Sequence, residues 1–263
     1  MRLASFIFLA VLAVPARGEE IRVLSGGAAR AFVEPLAATF PGHAVKLEYQ
    51  PMGKLVQSLA GGYRADMVIV TSEVLPQLER DGRVAALGGK PVARVGIGVA
   101  VNEKAPLPDI STPEALKRTL LAARSVVYID PKTGTSGKHV AEVFERLGIA
   151  AEMRGKSTLG QGGYVTEPVG RGEIELGIHQ ISEILPVKGV RLAGPLPPEL
   201  QKYTVYVAAP VLDSQKRPAV DAFIAHLSAP EARARLAASG ALRCAMKAST
   251  ADFFWLLRTG AAT

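Results

Sequence analysis

The sequence predicts an α/β protein of two lobes, each a mainly parallel β-sheet with helices on both faces. Short β-branched strands alternate with helical stretches along most of its 263 residues. Some strands, such as Met-Val-Ile-Val at residues 67–70, are apolar throughout, which is typical of a parallel sheet covered on both faces. The alternation occurs twice, and extended crossings near residues 96–102 and 203–209 predict a cleft between the two units.

The individual elements follow from local sequence signals. In the second unit, Thr112 ahead of Pro113 and Glu114 marks the start of a helix that runs to about residue 123. Because ligands bind at the carboxyl ends of parallel strands, we expect the binding loops to follow strands. Strands are predicted at 21–24, 45–49, 67–70, 125–129, 175–179, 191–194 and 203–208, and helices at 29–40, 54–60, 73–80, 136–147, 218–227 and 231–239.

The first 18 residues have the features of a secretory signal peptide. Met1 and Arg2 give a positive start, residues 3–14 are apolar apart from Ser5, and residues 16–18 (Ala-Arg-Gly) supply a cleavage site. We therefore expect export to the periplasm, with the mature protein beginning near Glu19. No cysteine lies at the cleavage point, so a lipid anchor is not expected.

Composition and charge narrow the function classes. The formal charge of +7 becomes +5 once Arg2 and Arg17 leave with the signal peptide, a balance that favours a small anionic ligand. The basic residues are scattered, so nucleic-acid binding is not expected. The four histidines lack metal-ligand spacing and Cys244 is the single cysteine, so we expect no metal, no cofactor and no disulfide in a monomeric protein.

Two turns in the first unit are candidate anion sites. Ser25, Gly26, Gly27 and Ala28 follow a strand and open a helix, so backbone N–H groups and the positive end of the helix converge there. Gly53 and Lys54 form a second such turn, after residues 45–49. An ordinary tight turn and a solvated surface lysine are the structural alternatives.

The second unit adds two candidate loops. Thr135, Ser136 and Gly137 lie between a strand and a helix, with hydroxyls beside free N–H groups, but the order of residues fits neither a Walker loop nor a serine-hydrolase elbow. Residues 161–164 (Gln-Gly-Gly-Tyr) and the strand end at His179 and Gln180 form the other. A hydrogen-bonded structural histidine is the alternative for His179.

The order of features over residues 21–240 resembles the periplasmic binding proteins for molybdate and similar oxyanions. The resemblance depends on residues 61–67 (Gly-Gly-Tyr-Arg-Ala-Asp-Met), Asp130 with Pro131, residues 144–148 and residues 171–178. It implies the type II periplasmic binding protein fold, the two-lobed "Venus flytrap". It also implies lobe I at residues 19–96 plus 206–263, lobe II at 97–205, and delivery of a small anion to an ABC transporter permease in the inner membrane.

The ligand itself does not follow from the resemblance. The serines with which molybdate binders hold their ligand are missing, because Ala28 and the turn at Gly53 occupy the expected places, and Gln180 replaces a tyrosine. Each missing hydrogen bond costs about 0.5–1.5 kcal/mol, so a di- or tricarboxylate is favoured over molybdate. Arg30, Lys54, Lys138 or His179 would supply the charge.

Periplasmic aconitate isomerases resemble this chain as well, and they give an alternative function. Isomerisation needs a group that removes and returns an allylic proton, and His179 is the candidate for that role. For the C-terminal residues 241–263 we expect a terminal helix docked on lobe I or a poorly ordered end.

Overall fold

The computed structural model describes residues 18–232, so the predicted signal peptide before Gly18, most of the predicted helix at 231–239 and the C-terminal stretch 241–263 lie outside the described residues. The strands are β1 (Gly18–Gly26), β2 (His43–Gln50), β3 (Met67–Thr71), β4 (Lys90–Val95), β5 (Ile97–Asn102), β6 (Val126–Ile129), β7 (Ser157–Gly160), β8 (Leu176–Gln180), β9 (Val190–Pro195) and β10 (Thr204–Pro210). The helices are α1 (Arg30–Ala37), α2 (Met52–Ala60), α3 (Leu75–Arg80), α4 (Pro113–Ala122), α5 (Thr135–Arg146), α6 (Ala150–Arg154), α7 (Glu167–Gly170), α8 (Ile181–Ile184) and α9 (Arg217–Ser228), and a 3₁₀ turn (Gly27–Ala29) precedes α1.

The strands form two five-stranded sheets, in the orders β2-β1-β3-β10-β4 and β7-β6-β8-β5-β9. Both are mixed rather than mainly parallel, which corrects the prediction. In the first sheet β10 is antiparallel to β3 and β4, and in the second β5 is antiparallel to β8 and β9. The reason is the direction of the crossings: β5 and β10 enter each sheet from the other lobe and therefore run opposite to the strands that end at the cleft.

Helices cover both faces of the first sheet, which with them forms lobe I. Val220, Phe223 and Leu227 recur at the three- and four-residue spacing of one helix face, and with α1 they cover one side of the sheet. Leu55 of α2 and Leu78 of α3 cover the other side. The helix predicted at 218–227 thus packs on lobe I.

The second sheet and its helices form lobe II. Alternate residues of β6 point to opposite faces: Tyr128 joins the core under α4, α5 and α6, whereas Val127 packs with Val169 of α7. The predicted helix start is confirmed, because the Thr112 hydroxyl accepts a hydrogen bond from the Ala115 N–H at 3.1 Å. Within residues 18–232, none of the helices has the length and apolar character needed to cross a membrane.

The chain crosses between the lobes twice, and the two crossings lie side by side. The first falls at Gly96, between β4 and β5, and the second lies between β9 and β10. Thr204 pairs with Val95 in the first sheet, so β10 joins lobe I two residues before the predicted boundary at 206. The Gln201 amide accepts from the Ile97 N–H and donates to the Ile97 carbonyl, both at 2.8 Å, and so joins the crossings.

Asp66, from the motif that supported the resemblance, has a structural role in lobe I. Its carboxylate accepts hydrogen bonds from the Arg22 N–H at 2.8 Å, the Ser214 hydroxyl at 2.9 Å and the Lys216 ammonium at 3.1 Å. Burial opposes ionisation, but these donors outweigh it and lower the pKa of Asp66 below its ordinary value of 3.8. Asp66 therefore ties β1 to the segment that leads into α9.

We expect Asp66→Ala to lower the free energy of unfolding by about 2–4 kcal/mol, because three donors to a charged group lose their acceptor. Since the folded-state pKa is depressed, this contribution is present above the ordinary carboxyl pKa and is lost as the pH falls through the folded value. Chemical denaturation at neutral pH and well below 3.8 measures both effects. Asp221→Ala, which breaks an exposed pair with Arg217 on α9, is the control and should change stability by under about 0.5 kcal/mol. An equal effect of the two substitutions would contradict the role given to Asp66.

Candidate functional site

The lobes are closed on one another, and residues a few positions beyond strand ends form the contact, most of them in the first turns of helices. The Gly53 N–H donates to the Thr133 carbonyl at 3.4 Å, and the Ser182 hydroxyl donates to the Ala28 carbonyl at 2.8 Å. In each pair one residue belongs to lobe I and the other to lobe II. The turns predicted at Ala28 and Gly53 therefore both lie at the interlobe cleft.

The lobe I side of the cleft is the turn from β1 into α1. Ser25 is fully buried, and its hydroxyl donates to the neighbouring Gly26 carbonyl at 3.1 Å. A Cβ on Gly26 would lie 2.4 Å from the Met52 Cε, so a larger residue here would push the Met52 side chain aside. The turn thus brings the start of α1 close to the other lobe with little side-chain bulk.

The lobe II side contains a buried chain of three polar side chains. The Ser136 Oγ lies 3.2 Å from the His179 Nδ1, and the His179 Nε2 lies 3.0 Å from the Glu183 Oε2 and 3.3 Å from the Gly163 carbonyl oxygen. A carbonyl only accepts, so in the neutral imidazole Nε2 carries the proton and Nδ1 accepts from the Ser136 hydroxyl. His179 therefore has hydrogen-bond partners at both nitrogens and is 0% exposed.

Of the three hydrogen-bonded side chains Ser136, His179 and Glu183, Glu183 is the one that faces lobe I. A Cβ on Gly27 would lie 2.6 Å from the Glu183 Oε1, so the carboxylate rests against the start of the 3₁₀ turn and α1. Burial and then the charge of Glu183 raise the pKa of Tyr206, which keeps the tyrosine protonated. The carboxylate is itself buried, with 6% of the residue exposed. An acid–base group thus stands in the cleft at a point where an anion would be favoured.

The sequence predicts Thr135, Ser136 and Gly137 in a loop, but they form the first turn of α5 and hold the helix close to the end of β6. A Cβ on Gly137 would lie 2.0 Å from the Ile129 carbonyl oxygen, so only glycine permits this approach. Ser136 is 4% exposed and its hydroxyl is directed at His179, whereas Thr135 is half-buried. Of the three predicted residues, the structure thus links Ser136 to the acid–base chain.

The predicted cations occupy different places. Lys54 and Lys138 are exposed on their helices. Arg30, at the start of α1, contacts the rings of Tyr49 and Tyr164, with its guanidinium carbon 4.3 Å and 5.4 Å from the two ring centroids. Arg30 is therefore the predicted cation that the structure brings between the two lobes.

Gln180 lies beside the crossings. Its amide nitrogen donates to the Thr204 hydroxyl at 3.0 Å, and the residue is 1% exposed. Because Thr204 belongs to β10, this bond joins the end of β8 to the second crossing. Among the described residues, the Gln180 Oε1 has no hydrogen-bond partner.

Sequence reasoning missed Glu183, Tyr49 and the position of Tyr164. Glu183 follows His179 by four residues, a spacing at which side chains meet when a strand turns directly into a helix. A search for histidine and carboxylate at this spacing would have found the pair. No local sequence pattern marks Tyr49 and Tyr164 as site residues, because they are distant in sequence and are brought together by their contacts with Arg30.

A family of bacterial extracellular solute-binding proteins has a sequence model that matches residues 21–242. The chain belongs to this family. An aconitate isomerase from Pseudomonas sp is 31% identical to this solute-binding protein over 228 residues, which are 84% of this chain and 86% of the relative.

Solved structures show that the solute-binding protein has the two-lobed periplasmic binding protein fold. The periplasmic molybdate-binding protein of Azotobacter vinelandii superposes with a TM-score of 0.71 at 17% identity, covering 84% of this chain and 97% of that one. The sulfate-binding protein SubI of Mycobacterium tuberculosis H37Rv gives 0.66 at 18% identity, covering 84% and 86%. At such identities the likeness establishes the fold, and the expected fold class is confirmed apart from the mixed strand directions.

Proposed function

We propose that this solute-binding protein is a periplasmic isomerase that interconverts trans- and cis-aconitate by moving an allylic proton. The observation that carries the proposal is the buried chain from Ser136 through His179 to Glu183, which ends at the cleft between the lobes. The aconitate isomerase from Pseudomonas sp, similar over most of both chains, supports the same reaction.

The position of Glu183 favours catalysis over binding alone. A carboxylate that faces an anion cleft repels the ligand, so a protein that only captures a polycarboxylate gains nothing from it. A carboxylate hydrogen-bonded to a buried imidazole is, by contrast, a usual arrangement for proton transfer. The chemistry of the pair therefore points to a reaction at carbon.

In the proposed reaction Glu183 removes a proton from the methylene carbon of trans-aconitate. The double bond shifts toward that carbon through a dienolate, and the same proton returns to the former vinyl carbon, which gives cis-aconitate. His179 donates a hydrogen bond from Nε2 to the carboxylate and holds it in place, while Ser136 holds the imidazole. The N–H groups at the start of α1 stabilise the charge that develops on the substrate carboxylates. No cofactor takes part.

The sequence predicts His179 as the proton carrier, whereas in the proposed reaction this role is shared between Glu183 and His179. Both imidazole nitrogens have partners inside lobe II, whereas the Glu183 Oε1 faces Gly27 of lobe I. Glu183 is therefore the group placed to touch the substrate. His179 acts directly behind it, and the signal peptide predicted at residues 1–18 would place the enzyme in the periplasm.

Delivery of a small anion to an ABC transporter permease is the second candidate function. The two closed lobes and the fold shared with molybdate- and sulfate-binding proteins favour it. Molybdate is a poor fit, because Ala28 lacks a hydroxyl and the Ser25 hydroxyl already donates to the Gly26 carbonyl. A di- or tricarboxylate remains the ligand that this cleft favours.

The deciding experiment incubates the mature protein, from Glu19, with trans-aconitate in deuterium oxide. We expect proton NMR to show conversion to cis-aconitate, with deuterium gained at the carbon that is reprotonated whenever the carried proton exchanges with solvent. A thermal-shift titration with trans-aconitate and molybdate runs in parallel, since a ligand at 100 times its Kd stabilises by about 2.7 kcal/mol. Binding of trans-aconitate without any conversion would defeat the isomerase and leave the transport function.

A further inference from the structure

We propose that Arg30 is the residue that selects the substrate, by binding one of its carboxylates at the mouth of the cleft. This inference deepens the proposed isomerase and rests on it for the identity of the substrate. The Arg30 guanidinium carbon lies 4.3 Å from the Tyr49 ring centroid and 5.4 Å from that of Tyr164. Arg30 and Tyr49 belong to lobe I and Tyr164 belongs to lobe II.

The stacking leaves the binding edge of the guanidinium free. Aromatic rings near a guanidinium carbon attract it through their π faces and restrain it without accepting its N–H groups. Within the described residues, the polar partner of this group is Glu34, at 3.9 Å in an exposed i,i+4 pair. A planar group with five donors in one plane suits a carboxylate, which it binds through two parallel hydrogen bonds.

Tyr49 supplies a second sign of a ligand at this place. Its hydroxyl is buried and has no hydrogen-bond partner among the described residues. Burial raises the pKa of Tyr49, with Glu34 the next contributor, so the hydroxyl remains a donor at neutral pH. A carboxylate held by Arg30 would give this donor its missing acceptor.

Charge balance makes Arg30 necessary for a polyanion. The carboxylate of Glu183 already stands in the cleft, whereas Lys54 and Lys138 are exposed to solvent. A substrate with three carboxylates needs a cation that faces it. Arg30 lies three residues after Gly27, and the Glu183 carboxylate rests against Gly27, so the cation and the carboxylate are close together. The substrate would thus extend from Glu183 at its reacting carbon to Arg30 at a distant carboxylate.

The loop that carries Tyr164 connects recognition with the acid–base chain. Gly163 places its carbonyl 3.3 Å from the His179 Nε2, and a Cβ on Gly162 would lie 2.6 Å from the Pro51 Cγ of lobe I. One loop of lobe II therefore contacts His179 and lobe I, and covers Arg30 with Tyr164. Tyr164 acts as a positioning residue, because it reaches the substrate through Arg30.

The test uses tricarballylate, the saturated tricarboxylate that has no double bond to shift, in calorimetric titrations. We expect Arg30→Gln to weaken its binding roughly 30-fold and Arg30→Lys to weaken it less, because lysine keeps the charge but loses the two parallel bonds. Arg154→Gln, the same change at an exposed position of α6, is the control and should leave the affinity within twofold. Tyr164→Leu should weaken binding threefold to tenfold, and Tyr164→Phe should restore it.

Kinetics with trans-aconitate add a readout that a folding defect would not produce. Arg30→Gln should raise KM with kcat changed by less than about threefold, because binding of a remote carboxylate is made equally in the ground and transition states. Affinity for tricarballylate within threefold of the unmutated protein, or no binding by either protein, would overturn the assignment of Arg30. Weakened tricarballylate binding in a protein that converts no aconitate would defeat the isomerase and leave Arg30 as a carboxylate-binding residue.

Discussion

Glu183→Gln is expected to lower kcat for aconitate isomerisation by about 10³–10⁴ while it strengthens binding of trans-aconitate. The amide keeps the size of the carboxylate and its contact with Gly27 but cannot take a proton, so general base catalysis is lost. It also removes a negative charge from the anion cleft, so the ground state becomes more stable. Stopped-time assays give kcat, and calorimetry on the inactive variant gives Kd without turnover.

Opposite changes in rate and affinity distinguish a catalytic carboxylate from a structural one. Glu145→Gln, at an exposed position of α5, serves as the matched control and should change neither quantity. A Glu183→Gln protein that keeps more than a tenth of the normal kcat would remove Glu183 from the mechanism. One that binds trans-aconitate more weakly than the unmutated protein would contradict the repulsion described for the cleft.

His179→Ala is expected to lower kcat about 10³-fold and to leave trans-aconitate binding within tenfold. The lost imidazole no longer holds the Glu183 carboxylate or shares its proton, which is a transition-state effect. The buried space left behind should admit free imidazole, so added imidazole should restore part of the rate. Ser136→Ala removes only the hydroxyl that holds Nδ1, and we expect a loss of about tenfold.

The His179 variants should be assayed well below their own melting temperatures, because a buried hydrogen-bonded residue also contributes to the stability of the protein. Full activity of His179→Ala would show that the histidine has no catalytic role and that Glu183 acts alone. A different outcome is that imidazole fails to restore the rate of His179→Ala and that Ser136→Ala loses as much rate as His179→Ala. Both results together would indicate that the series of Ser136, His179 and Glu183 only supports the shape of the cleft.

Strands and longer helices of this fold follow from the sequence because their signals are local. The apolar run at residues 67–70, the cap at Thr112 and the helix face of Val220 and Phe223 each depend on neighbours within a turn or a strand. The short elements β7, α6, α7 and α8 escaped prediction, since four or five residues do not establish a period. The directions of β5 and β10 were also missed, because a crossing strand has the composition of any buried strand.

The candidate site was predictable in position but not in its chemistry. Ala28, Gly53 and Ser136 lie at the cleft beyond strand ends, as expected, although Gly53 and Ser136 belong to the first turns of α2 and α5 rather than to loops. Which side chain faces the ligand depends on packing between lobes, and nothing near Glu183 in sequence indicates that it will meet Gly27, more than 150 residues earlier. A hydroxyl such as that of Ser25 can also satisfy itself on the adjacent backbone, which removes it from a ligand's reach.

The amide of Gln201, which bonds both the N–H and the carbonyl of Ile97, determines how the cleft can open. Two independent linkers would let the lobes slide and twist, whereas crossings joined to each other by these two hydrogen bonds resist sliding and favour a hinge rotation near Ile97. Such a hinge would couple the interlobe contacts at Ser182, Thr133 and Tyr164, so a substitution at one of them is expected to change the stability of the closed state as a whole.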